Sequence, residues 1–207
     1  RYPTRTPLKF RHQYVLDMSR DDVTDYVINT VDRIVSENSL DYLKWDMNRY
    51  IAETNPEKCD FYFKFSNNVI KVWKFLNEKY PNLLIECCAH GGARTDFGFL
   101  PYCDRINRSD NADPIDVLKL HEGFTTYVLP KLAGGAGNVA SEVNGINGRK
   151  TPLDFRAKLG MTGSMSVGIN LLDISDDTFN ALKNYLVRFK SMRADLHNSY
   201  VYRLKSA

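Results

Sequence analysis

Acidic and polar residues recur where short apolar runs end. Asp17 closes Gln13-Tyr14-Val15-Leu16, and Asp46 closes Leu40-Asp41-Tyr42-Leu43-Lys44-Trp45. Cys88 follows Leu83-Leu84-Ile85-Glu86-Cys87 and opens the 88–94 loop, and Asp110 ends the segment that starts at Asp104. In parallel α/β folds the C-terminal edge of the sheet is where active sites are built. Within Lys44-Trp45-Asp46-Met47-Asn48-Arg49, strand alternation sends Lys44 and Asp46 to one face and Trp45 to the other. A cation beside Asp46 favours its ionised form, which a carboxylate nucleophile requires. The same spacing suits a structural ion pair, and the residues alone do not choose between the two. Asp113, directly before Pro114, reads as a helix cap, whereas Asp110 is three residues further from the helix. If Asp110 faces Asp46, the two cannot both ionise cheaply, so one holds its proton. An ionised and a protonated carboxyl roughly 5–5.5 Å apart form the pair that glycoside hydrolysis with retention uses.

Other polar groups carry less. Cys87, Cys88, His90 and Cys103 contain no Cys-x-x-Cys pair, and alternation sends Cys87 and Cys88 to opposite faces, so no metal is expected. Gly91-Gly92 and Gly134-Gly135 lack the Lys-Ser/Thr ending of a phosphate loop and read as turns or close backbone approaches. His12, His121 and His197 are isolated and receive no chemistry.

The elements that must position these residues alternate between strand and helix. A strand over 13–17 precedes a helix over 19–37, capped by Ser19, with Val23, Tyr26, Val27, Val31, Ile34 and Val35 on one face. A strand over 40–46 precedes a helix over 60–80, which buries Val69, Val72, Trp73 and Leu76 and stops at Pro81. Further strands are expected over 83–88, 104–110, 125–132 and 165–172, with a terminal strand over 200–204. Helices are expected over 114–121, 152–159 and 176–192, the last burying Phe179, Leu182, Leu186 and Phe189. A Gly-rich loop spans 134–148.

Repeated strand–helix units without hairpin signals imply a parallel sheet covered by helices. No Gly-x-Gly-x-x-Gly follows the first strand, which disfavours an open dinucleotide-binding sheet. The expected fold is α/β, a partial (β/α)8 TIM barrel with parallel strands each followed by a helix. About six units are present against the eight of a closed barrel, so the early strands would precede Arg1. Residues 1–197 form the catalytic barrel portion in this reading, and 198–207 start a C-terminal β segment.

Size and charge narrow the function. The chain has 207 residues, 43% of them hydrophobic, and its 28 basic and 25 acidic side chains leave a net charge of +3. That balance, without runs of like charge, offers no case for a nucleic-acid partner. No stretch is apolar for the ~18–20 residues needed to span a bilayer, and no signal peptide is visible, so no membrane partner is expected. Cys59, Cys87, Cys88 and Cys103 read as reduced thiols of a cytoplasmic protein.

Taken together, the motifs resemble glycoside hydrolase family 36, the α-galactosidases of bacteria and of some plants and fungi. The resemblance covers nearly the whole chain. Tyr42-Leu43-Lys44-Trp45-Asp46-Met47-Asn48-Arg49 resembles the family's nucleophile motif, and Arg11-His12-Gln13-Tyr14-Val15-Leu16-Asp17 its preceding strand. Glu86-x-Cys88 with Arg94-x-Asp96 resembles the next active-site loop, and Ser109-Asp110-Asn111-x-Asp113 the acid/base motif. Gly148-Arg149-x-Thr151-Pro152-Leu153-x-Phe155-Arg156 and Tyr202-Arg203-Leu204 also fit. The resemblance implies Asp46 as nucleophile and Asp110 as acid/base, with Arg11, Lys44, Asn48, Cys88 and the Gly91 backbone contacting the sugar. It implies an α-galactoside oligosaccharide as substrate and no metal or organic cofactor. It leaves room for a homo-oligomer of the full-length protein.

The chain departs from the family pattern where Ala89, His90 and Ala93 interrupt a glycine run, and where Asn107-Arg108 replaces a common Trp-Thr. Other readings stay open: an α-N-acetylgalactosaminidase or galactosyl-transferring relative on the same scaffold, or an inactive fragment or carbohydrate-binding remnant. The family's full chain is several times longer and carries early barrel strands that contribute to galactose binding. The chain on its own is therefore expected to hydrolyse p-nitrophenyl α-galactoside weakly or not at all; turnover close to that of a full-length family member would contradict this.

Overall fold

An alternating apolar run becomes a strand only where a second backbone lies beside it. The computed structural model describes residues 8–51, 59–134 and 138–205, and its contacts divide into two units. The first takes in the described residues of Arg1–Ala89 and Arg94–Asp104, and the second His90–Ala93 and Arg105–Ala207.

In the first unit α1 (Asp21–Asn38) is followed by β1 (Tyr42–Trp45), α2 (Phe61–Lys79) and β2 (Leu84–Cys87). The two strands are parallel, with Tyr42 beside Leu84, Leu43 beside Ile85, Lys44 beside Glu86 and Trp45 beside Cys87. Parallel neighbours need a crossover, and α2 supplies it. Its buried face is Phe61, Phe65, Val69, Val72, Trp73 and Leu76, a helical spacing that includes the apolar positions expected from the sequence. Trp73 is fully buried and meets Trp45 edge-on, so the outward residue of β1 packs beneath the helix layer. The helices are also tied at their ends: Lys79 Nζ lies 2.7 Å from Asp32, and the Tyr80 hydroxyl donates to the same carboxylate.

The second unit contains β3 (Arg105–Asn107), α3 (Pro114–Phe124), β4 (Ala133–Gly134), β5 (Asn138–Val139), α4 (Leu153–Gly160), β6 (Ser166–Val167) and α5 (Asp176–Asn198). β3 runs parallel to β4, and β5 parallel to β6. Asp113 caps α3 as expected, its carboxylate accepting the Ile115 and Asp116 N–H groups, with Pro114 at the first helical position. Asp113 is buried, and its oxygens also accept from Asn147 Nδ2 (2.7 Å) and Arg149 Nη1 (2.6 Å).

Several expected elements differ. Residues 13–17 form no strand; among the described residues the segment makes only an isolated antiparallel bridge, Phe10 with Gln13. Ser19 does not cap α1, because its hydroxyl and N–H are both spent on the Asp17 carboxylate, and Arg20 takes the cap position. Residues 125–132 are not a strand. Thr125 and Thr126 turn their hydroxyls onto the His121 and Glu122 carbonyls at the end of α3, and Pro130 starts a 3-10 turn. Only Ala133 and Gly134 pair. Residues 165–172 pair only at Ser166 and Val167. α5 runs on to Asn198, and Phe179 stays exposed while Leu182 and Phe189 are buried. Tyr200, Val201, Tyr202 and Leu204 are exposed, and no ladder forms there among the described residues.

Asp113 joins a helix cap to a charge pair in which the carboxylate is buried and Arg149 is exposed. Asp113→Ala should therefore lower the unfolding free energy by about 1–3 kcal/mol, and Asp113→Asn, which keeps an accepting oxygen, by less. Urea denaturation of the three proteins checks this ordering.

Candidate active site

β1 delivers Asp46 to the C-terminal edge of the first unit. The chain there is held to the neighbouring strand end by backbone bonds on both sides: Cys88 N–H donates to Trp45 C=O (3.0 Å), and Met47 N–H to Cys88 C=O (3.1 Å). This pins Asp46 beside Cys88. The exposed Asp46 carboxylate accepts from Asn48 Nδ2 at 2.6 Å and from the Cys88 thiol. Partial burial alone raises its pKa. The Cys88 and Asn48 hydrogen bonds, the Met47 N–H and the Lys44 charge outweigh that, and the carboxyl titrates below its ordinary value. Asp46, Asn48, Lys44 and Cys88, expected together, are brought together within this unit.

Behind Asp46 lies a hollow of about 230 Å³, lined among others by Gln13, Leu16, Asp46, Asn48, Arg49 and Arg94. Arg94, which the sequence marks only as part of the loop motif, is a buried cation. Its guanidinium sits 5.7 Å from the Trp73 ring and 5.6 Å from that of Phe99. Burial lowers its pKa, opposed by the nearby Cys87, Asp46 and Cys88. Arg49 anchors the loop after β1 through the carbonyls of Tyr50 and Leu8. Arg11 lies exposed in a turn with left-handed backbone, outside the lining of this hollow. Cys87, on the helix side of β2, is buried and its thiol is pushed up to about 11, and Cys103 to about 12, so neither is a ready nucleophile.

In the second unit β3 ends at Asn107, which is buried and donates from Nδ2 to the exposed Asp110 carboxylate at 2.8 Å. The loop is braced: Ser109 Oγ accepts the Asn111 N–H, and Asn111 Oδ1 accepts the Asp113 N–H. Arg108 turns away from Asp110. It donates Nε to Gly134 C=O (3.0 Å), contacts His121 Nδ1 and lies over the Phe124 ring. Burial, with Arg108 and Arg203 nearby, holds His121 down to about 4, so it accepts from Arg108 as a neutral ring. Gly91 belongs to this unit and has φ +74°; a Cβ there would lie 3.0 Å from Arg108 C=O. That close approach is what the glycine provides.

Sequence reasoning also passed over Glu86 as a partner of Lys44. The signal was present in the spacing: Lys44 stands two residues before Asp46, and Glu86 two before Cys88. Once Asp46 and Cys88 are side by side, so are the other two.

Parallel strands that feed helices make this chain part of a (β/α)8 domain, the fold of the solved α-galactosidase structures that superpose on it. The chain belongs to the Melibiase family, whose model matches residues 1–198. It is 32% identical over 209 residues to α-galactosidase 2 of Pediococcus pentosaceus, covering 98% of this chain and 29% of that one. It is 31% identical over 210 residues to α-galactosidase AgaA of Geobacillus stearothermophilus, covering 99% and 28%. The crystal structure of AgaA, a family 36 enzyme, superposes with a TM-score of 0.90 at 28% identity, over 99% of this chain and 29% of that one. Variants of AgaA have been crystallised with raffinose and with stachyose. The chain thus spans less than a third of the length of the relatives it matches. Among its described residues no helix is long and apolar enough to cross a membrane.

Because the folded Asp46 titrates below its ordinary value of 3.8, the stabilisation from its ionised form is present above that value and is lost as pH falls beneath it. Removing either side-chain donor should move the titration upward. Cys88→Ala and Asn48→Ala are each expected to do so in a carbon-13 NMR titration of the Asp46 carboxyl, and an unmoved midpoint in both would contradict the assignment of these donors.

Proposed function

We propose that this chain carries the catalytic groups of a retaining α-galactosidase that removes terminal α-linked galactose from oligosaccharides. One observation carries the reading. In a Melibiase-family chain, a strand-end carboxylate, Asp46, is kept ionised by the Cys88 thiol, the Asn48 amide, a backbone N–H and the Lys44 charge. An ionised carboxylate is the form that attacks an anomeric carbon.

In this mechanism Asp110 gives its proton to the leaving glycosidic oxygen while Asp46 attacks. A covalent galactosyl–Asp46 ester forms. Asp110, now a carboxylate, takes a proton from water, and the water opens the ester with net retention. Asn107, bonded to Asp110, orients that carboxyl. Lys44, Asn48, Cys88, Arg11 and the Gly91 backbone contact galactose hydroxyls. AgaA variants hold raffinose and stachyose, which favours oligosaccharides of that class as substrates here. We also propose that residues 1–197 act as the barrel portion and that 198–207 lead into a following β segment.

The test uses the longest open reading frame that contains the chain. A galactosyl fluoride inactivator should label Asp46, and Asp46→Ala should lose at least about a thousandfold in kcat. Asp110→Ala should slow natural α-galactosides far more than p-nitrophenyl galactoside, whose leaving group needs little protonation. Galactose released first as the β anomer, or equal slowing of both substrates, would count against these roles.

A further inference from the structure

On the face of β1 and β2 that carries Asp46 and Cys88, the layer beneath holds three polar side chains that the mechanism does not use fully. Tyr42 and Lys44 alternate onto that face of β1, and Glu86 stands in register with Lys44 on β2. The Glu86 side chain is 8% exposed. Each of its oxygens has its own partner: Oε1 lies 3.6 Å from Lys44 Nζ, and Oε2 accepts the Tyr42 hydroxyl. A carboxylate buried this far needs a counter-charge, and Lys44 is placed to supply it. Lys44 remains 46% exposed, so its ammonium is held from below and open above.

We propose that Glu86 is a positioning residue that fixes the Lys44 ammonium for its contact with the sugar, with Tyr42 holding the carboxylate in turn. The proposal deepens the α-galactosidase reading and rests on it for the word sugar alone. A lysine stem is long and mobile, and ordering it costs rotamer entropy when a ligand binds. A buried carboxylate that orders it beforehand removes that cost from binding. The ammonium has three donors, so one directed at Glu86 leaves others for hydroxyls.

Glu86→Gln isolates the effect. The amide keeps the size and can still accept from Tyr42, but its NH2 then faces the ammonium and cannot hold it. Two readouts apply. In the first, an acetylating N-hydroxysuccinimide ester is scored by mass spectrometry at Lys44 against Lys183 on α5. Lys44 should react about threefold faster in the variant than in the wild type, because the ion pair no longer shields it. Equal rates would overturn the proposal whatever the enzyme does. In the second, p-nitrophenyl α-galactoside hydrolysis is measured on the full reading frame. Glu86→Gln should raise KM about tenfold while kcat changes less than about twofold. In a Lys44→Met background the same change should add less than about twofold to KM, because the two residues act as one unit. Full additivity would overturn the positioning role, as a purely structural glutamate would behave that way. Failure of the wild type to hydrolyse the substrate would count against the α-galactosidase reading and leave the labelling experiment to decide on Glu86. If Glu86→Gln does not fold, Tyr42→Phe replaces it: it should raise Lys44 labelling, and an unchanged rate would refute the proposal.

Discussion

The register of two short parallel strands governs the chemistry of the first unit. Lys44 sits beside Glu86 because Cys88 N–H reaches Trp45 C=O and Met47 N–H reaches Cys88 C=O. A slip of one residue would turn Asp46 toward the helices and bring Trp45 to the open face. Trp45 opposes such a slip, since its ring is engaged edge-on with the buried Trp73. Aromatic packing on one side of the strand therefore maintains the electrostatics on the other. Asp46 stays ionised through close donors from Cys88 and Asn48, with Lys44 adding charge from one layer below.

The second unit treats its charges differently. Asp113 is committed to a helix cap and a pair with Arg149, whereas Asp110, three residues earlier, keeps one side-chain bond, from Asn107, and remains exposed. Arg108 is drawn toward Gly134, His121 and Phe124. A cation within two residues of a carboxylate is thereby kept engaged elsewhere, which leaves Asp110 without a flanking positive charge from that side chain. Neighbouring residues of one loop thus divide into those that build the loop and one that is left available.

Local patterns were legible in the sequence, and cross-strand ones were not. The spacing of Val69, Val72, Trp73 and Leu76 outlined α2, and Asp113-Pro114 marked the start of α3, because both signals act within one turn of helix. The same-face placement of Lys44 and Asp46 followed from alternation alone. Residues 13–17 looked like a strand but lack a ladder among the described residues, since pairing depends on a partner that the local sequence does not specify. Thr125 and Thr126 have strand propensity, yet their hydroxyls bond to helix carbonyls instead. Glu86 and Arg94 are legible as members of a loop motif but not in their individual roles, for a related reason. One acquires its meaning from a register partner, and the other from the Trp73 and Phe99 rings, 21 residues before it and 5 after it.

Gly91 limits how the loop around it can be redesigned. Its left-handed backbone and the 3.0 Å gap between a notional Cβ and Arg108 C=O exclude every other amino acid without displacing the chain next to Asp110. Diversity in this loop has to come from its neighbours. Ala93 is exposed, so a library built to retune leaving-group preference belongs there, with Gly91 held constant and His90, whose own φ is +48°, limited to residues that accept a left-handed backbone.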